Sequence, residues 1–134
     1  MMEVGHQGKA QGLGEYQVQK LVKLKEPVEY CDDEGKKFFF HPLLAQIKWK
    51  NTGDLELWLT YYIQKEGKNP RFAGQFSAMV SEDSFVELLA GAIEEGFFSP
   101  RSLSTLQQVI SKCSEELKTN KCPTIWSGQS SIKA

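Results

Sequence analysis

Histidine is scarce in this chain of 134 residues, with only His6 and His41 present. A Ser-His-Asp or Cys-His arrangement would therefore have to use His41, because His6 sits in a glycine-rich head. Cys31 and His41 straddle an expected hairpin, but no third group to orient a base is evident, and with a carboxylate they lack the tight spacing of zinc motifs. No catalytic residue, metal or cofactor is expected. Cysteine is also sparse: Cys31, Cys113 and Cys122 form an odd set without paired spacing, which argues against a disulfide framework and suits a reducing compartment. No apolar run approaches the roughly 18 to 20 residues of a membrane span. Met1 to Gly14 has no hydrophobic core of a secretory signal, so a cytoplasmic protein without membrane contact is expected. Phosphate loops are missing too. Gly12-Leu13-Gly14 precedes a strand instead of opening a helix, and Gly35-Lys36-Lys37 leads into a strand. Asp32-Asp33-Glu34 is a solvated turn, too short for an EF-hand calcium loop.

What is present is alternation. Leu43, Ala45, Ile47 and Trp49 point one way, and Leu44, Gln46, Lys48 and Lys50 the other. After Asn51-Thr52-Gly53-Asp54, Leu55, Leu57, Leu59, Tyr61 and Ile63 share one face, and Glu56, Trp58, Thr60, Tyr62 and Gln64 the opposite one. Period-two patterning around an Asn/Gly/Asp cluster predicts a hairpin. A two-residue loop would mix charged and core positions, whereas a three-residue loop at 52–54 pairs Trp49 with Leu57 and Ile47 with Leu59 inside. Outside, it pairs Lys50 with Glu56 and Lys48 with Trp58. Gly67 to Pro70 breaks the chain, and residues 71–80 alternate with Phe72, Phe76, Ala78 and Val80 on the buried side. Gly74 marks a bulge or a close approach. Ser84 to Glu87 fits a capping box, and Phe85, Leu88, Leu89, Ala92 and Ile93 form the apolar stripe of a helix stopped at Gly96.

Upstream, Tyr16, Val18, Val22 and Leu24 predict a first strand. Residues 28–31 and 36–40 predict a hairpin around the acidic turn. Downstream, Ser99-Pro100 starts a second helix, where proline's missing amide costs nothing. Its residues Leu103, Leu106, Ile110, Cys113 and Leu117 recur at spacings of 3, 4, 3 and 4. That narrow seam fits packing within the monomer or against a second copy. The expected architecture is α+β: an antiparallel β-meander of about five strands followed by two C-terminal helices. Residues 1–15 are expected to be a disordered head, 16–119 a single domain and 120–134 a loose polar tail.

The net charge is only −1, yet its distribution is uneven. Residues 16–50 carry a local +2 and residues 82–118 a local −4. An anionic partner would therefore meet the strands. With Lys48 and Lys50 beside Trp58 and Tyr62, and Arg71 on the next strand, the outer sheet face has cations for phosphates and rings on which bases stack. The bland alternative covers the two aromatics with a helix or a subunit.

The stretch from Thr52-Gly53-Asp54 through Leu55 to Ile63, Lys68-Asn69-Pro70-Arg71, Phe76 to Val80 and Ser81 to Leu88 resembles the single-stranded-DNA-binding transcriptional regulators, meaning the positive-cofactor coactivators and the Whirly proteins. The likeness is one of pattern and covers about 45 residues. The lysine-glycine-lysine motif of the Whirly proteins and the basic Ser-rich arm of the coactivators are not found. The resemblance implies an oligomer whose strand face binds unpaired DNA or RNA through Lys48, Trp58 and Tyr62. Two functions are thus expected: a non-enzymatic module for single-stranded nucleic acid, or a small protein-interaction or assembly factor using the same face or the 103–117 seam.

Overall fold

A computed structural model describes residues 1–73 and 79–118. The strands are β1 (Gln7–Ala10), β2 (Gly14–Lys23), β3 (Val28–Cys31), β4 (Lys37–Trp49), β5 (Leu55–Lys65) and β6 (Arg71–Phe72). Helices α1 (Glu82–Glu94) and α2 (Pro100–Lys118) follow. All strand pairs are antiparallel, in the order β1-β2-β4-β5-β6, with β3 on β4. This is the expected α+β sheet followed by two helices. Among the described residues no helix is long and apolar enough to cross a membrane.

The chain forms two compact units, Met1–Phe97 and a second beginning at Phe98, where one domain over 16–119 was expected. The predicted loose tail at 120–134 lies outside the described residues. The disordered head over 1–15 is corrected, because β1 pairs with β2 and Met2 is buried in the core. Glycine content suggested disorder there, but at Gly8 it has a local purpose. Gly8 stands opposite Tyr16, and a Cβ on it would run into the tyrosine ring and its oxygen, so the ring occupies the space a side chain would need. Backbone bonds from Gly5 N–H to the Val18 carbonyl and from Val18 N–H to the His6 carbonyl, both 2.8 Å, tie the head down.

β4 is a single strand of 13 residues that runs through Pro42. Trp49 N–H donates to the Asp54 carbonyl of the β5 side, and Lys50 N–H to the Glu15 carbonyl of the β2 side. Alternation then turns even-numbered residues of β4, Pro42 included, toward β2 and β3. Proline has no N–H to offer a neighbour. Opposite it the neighbouring chain leaves the ladder: pairing stops at Lys23–Leu43 and resumes at Val28–Phe40. β2 and β3 are thus one line of chain interrupted where Pro42 cannot donate.

The β4–β5 register corrects the three-residue loop. Ile47 pairs with Glu56, Ala45 with Trp58, Leu43 with Thr60 and His41 with Tyr62. Gly53 N–H donates to the Trp49 carbonyl at 2.7 Å, and Gly53 adopts a φ of +78°, a left-handed conformation that costs glycine little. Residues 50–53 therefore make a four-residue loop, and its even length inverts the face of every β5 side chain relative to β4. One face now carries Leu43, Ala45, Ile47 and Trp49 with Glu56, Trp58, Thr60 and Tyr62. The other carries Leu44, Gln46 and Lys48 with Leu55, Leu57 and Leu59.

A bulge at Gln19 makes a second inversion. Val18 stands beside Ile47 on the first face, whereas Val22 stands beside Leu44 on the second. There α1 seats itself with Gly91 against Val22; a Cβ on Gly91 would lie 2.5 Å from Val22 Cγ1. The helix starts a turn earlier than the expected Ser84 cap, with Ser84 N–H donating to Ser81 Oγ at 3.1 Å. Glu87 instead accepts from Lys25 N–H at 2.9 Å. Ser84, Leu88 and Ala92 are the buried stripe, and Phe85 and Ile93 are exposed. Gly96 ends the helix with φ +74° as expected. On β6, Phe72 is exposed and Ala73 buried, the reverse of expectation; Gly74, Phe76 and Ala78 lie outside the described residues.

Candidate functional site

The revised register separates the residues expected to act together. Trp58 and Tyr62 lie on the Ile47 face, half-buried against the cluster of Met2, Tyr16, Val18, Leu43, Ala45 and Ile47. Lys48 and Lys50 lie on the opposite face. Lys50 is engaged there, its Nζ 2.6 Å from Gln7 Oε1 and 3.7 Å from Glu15. Arg71 stands opposite Ile63, also away from the two rings. The expected platform of Lys48, Lys50, Trp58 and Tyr62 is corrected for one physical reason, the even loop.

In its place the Ile47 face carries a run of aromatic contacts. Tyr16 meets Trp49 at 5.9 Å between ring centres and Trp58 at 5.5 Å, with interplanar angles of 80° and 82°. Phe72 meets Trp58 at 5.8 Å and Tyr62 at 5.4 Å. Burial, and then the nearby Tyr62, push the Tyr16 phenol above its ordinary value of 10.0. Between the rings lies a pocket of about 250 Å³ lined by Tyr16, Ile47, Trp49, Trp58 and Glu56 among others. Tyr16, Trp49 and Glu56 were not singled out by sequence, since the odd-loop register puts Glu56 outside and treats Trp49 as plain core.

Cations gather elsewhere. Lys65, Lys68 and Arg71 line a cleft of about 590 Å³ with Ile63, Phe72 and Ala73. A neighbouring cleft of about 840 Å³ adds Lys36, Lys37 and Phe38. Lys36 and Lys37 are paired with Glu34 at 3.5 Å and Glu29 at 3.2 Å. The hydrogen bond and charge of Glu29 hold the Lys37 ammonium above its ordinary value. Lys65, Lys68 and Arg71 make no ion pair among the described residues.

α2 keeps its predicted start, with Ser102 N–H donating to Ser99 Oγ at 3.2 Å. None of its residues is buried. Leu103 and Leu106 are partly covered, while Ile110, Cys113 and Leu117 are exposed.

His41 Nε2 lies 2.8 Å from Gln64 Oε1. Cys31 stands opposite Lys37, four positions along β4 from His41, or about 13 Å at the rise of a strand. The two are not brought together. Among the described residues no group of three or more His, Cys, Asp or Glu side chains is placed to hold a metal ion. No family model matches this chain, and no curated protein or solved structure matches it either.

Proposed function

We propose that this protein is a non-enzymatic binding module that assembles with a second copy of itself through α2. The observation that carries the reading is the seam of Leu103, Leu106, Ile110, Cys113 and Leu117, which repeats at 3 and 4 with no member buried. In proteins most of a helix's stability comes from covering its apolar stripe rather than from intrinsic propensity. The composition around the seam favours a like partner. In the heptad that the spacing defines, the flanking positions hold Ser102, Gln107, Val109 and Ser114, with Glu116 the charged flank among the described residues. Arg101, Lys112 and Lys118 fall on outward positions, so self-pairing brings no two of them together. Light scattering on the purified chain tests the assembly. A dimer is expected, with Ile110→Asp giving a monomer; a wild-type monomer at every concentration would contradict the reading.

A second reading, single-stranded nucleic acid binding, is favoured by Lys65, Lys68 and Arg71, which make no ion pair among the described residues, around one cleft beside the exposed Phe72. The resemblance to single-stranded-DNA-binding regulators points the same way, with the contacts moved from Lys48 and Lys50 to this cleft. Fluorescence anisotropy of a labelled single strand should then show binding that weakens with salt and is lost in Lys65→Glu/Arg71→Glu. No binding at low salt, where charges are least screened, would remove this reading.

A further inference from the structure

We infer that the pocket between Tyr16, Trp49 and Trp58 binds an N-methylated ammonium head group. The pocket shares no lining residue with the basic cleft, and the inference stands independently of the assembly reading. Tyr16 meets both indoles edge-on, each nearly perpendicular to it, and all three rings line the pocket. Ile47, paired with Glu56 and beside Val18, lies in the same pocket lining. The faces of aromatic rings are negative, and a cation held against them is attracted most strongly when it sheds water readily. A trimethylammonium group does so because its charge is spread over methyl groups, which also pack against Ile47.

The charge around the pocket has the matching sign. Glu56 lines it, exposed, and its carboxylate has neither a hydrogen bond nor an ion pair among the described residues. Asp54 stands opposite Trp49 at the same end of the hairpin. The basic residues of this end, Lys9, Lys48 and Lys50, all occupy positions of the opposite face. Thus the even loop that separates the lysines from the rings leaves a carboxylate beside them, and the surface suits a cation where the odd loop would have suited phosphate. The volume of about 250 Å³ accommodates a trimethylammonium head.

Tryptophan emission of the full chain, titrated with choline and with its neutral carbon isostere, tests the charge requirement. Choline is expected to bind about tenfold more tightly than the isostere. Glu56→Gln, a change at an exposed side chain, should weaken choline several-fold and leave the isostere unchanged, and Trp58→Ala should remove both. A peptide carrying trimethyllysine, run beside choline, tells whether the head group is presented on a protein or on a small molecule; either preference fits the site. Equal affinity for choline and isostere, or a choline affinity indifferent to Glu56→Gln, would overturn the inference. Because Ile110 is not among the residues that line the pocket, loss of the dimer and loss of choline binding are separable results.

Discussion

Thr60 sits at 1% exposure opposite Leu43, and its hydroxyl has no hydrogen-bond partner among the described residues. A buried hydroxyl without a partner costs free energy because it gave up water and gained nothing in return. Thr60→Val keeps the shape and removes the cost, so it should stabilise the fold by about 1 kcal/mol, read as a higher urea midpoint. Tyr16 makes a second residue-scale prediction. Its phenol holds its proton more tightly in the folded chain than in the unfolded one, where the value is near 10.0. The contribution is therefore fully present below pH 10 and lost as pH rises through the raised folded value. Melting curves at increasing alkaline pH should fall more steeply for wild type than for Tyr16→Phe. Equal slopes would mean the ring is not held in its neutral form by burial.

At the scale of elements, α1 depends on close approach. Gly91 is a poor helix former in isolation, and alanine there would favour the helix by about 1 kcal/mol. Yet the added methyl would meet Val22 Cγ1 at 2.5 Å, and valine's branched side chain has little room to turn away. Overpacking of this kind costs about 1–3 kcal/mol. Gly91→Ala should thus lower stability on balance, and a gain would show that the helix can lift from β2 without penalty. The elements also show which signals a sequence carries. The alternation at 43–49 and 55–63, the Ser99-Pro100 helix start and the Gly96 stop were all legible, because each is a local pattern with a local cause. Face assignment was not. It depends on the length of the loop after Trp49 and on the bulge at Gln19, and each shifts parity by one residue without changing the alternation on either side. The four-residue loop with Gly53 left-handed is readable in principle from Asn51-Thr52-Gly53, and such a loop places Glu56 beside Ile47. Nothing local marks Gln19. Gly8 counted toward disorder for want of its partner, since only the pairing with Tyr16 explains it.

At the scale of the whole chain, the buried hydrophobic residues among those described all lie in Met1–Phe97, while α2 contributes none. A charge placed on the seam should accordingly act on assembly and leave the sheet alone. Ile110→Asp is expected to shift the stability of the Met1–Phe97 unit by less than about 0.5 kcal/mol, as for a surface change. If the two copies of α2 run parallel and in register, Cys113 faces its counterpart, within reach of a disulfide. Diamide, which takes up the two electrons lost by a pair of thiols, should then link Cys31→Ser/Cys122→Ser protein into a covalent dimer. Cys113→Ser in that background should abolish the product; a dimer that diamide leaves unlinked would exclude the parallel arrangement.

The most direct measurement is amide hydrogen exchange over residues 103–117 at high and at low protein concentration. Backbone protection of a helix reports the free energy of opening it, and a helix covered by a second copy is protected only while the copies remain together. Self-assembly through the seam predicts slow exchange in concentrated protein that accelerates on dilution, with Ile110→Asp fast at both concentrations. Protection in the wild type that is unchanged by dilution, or absent throughout, would contradict it.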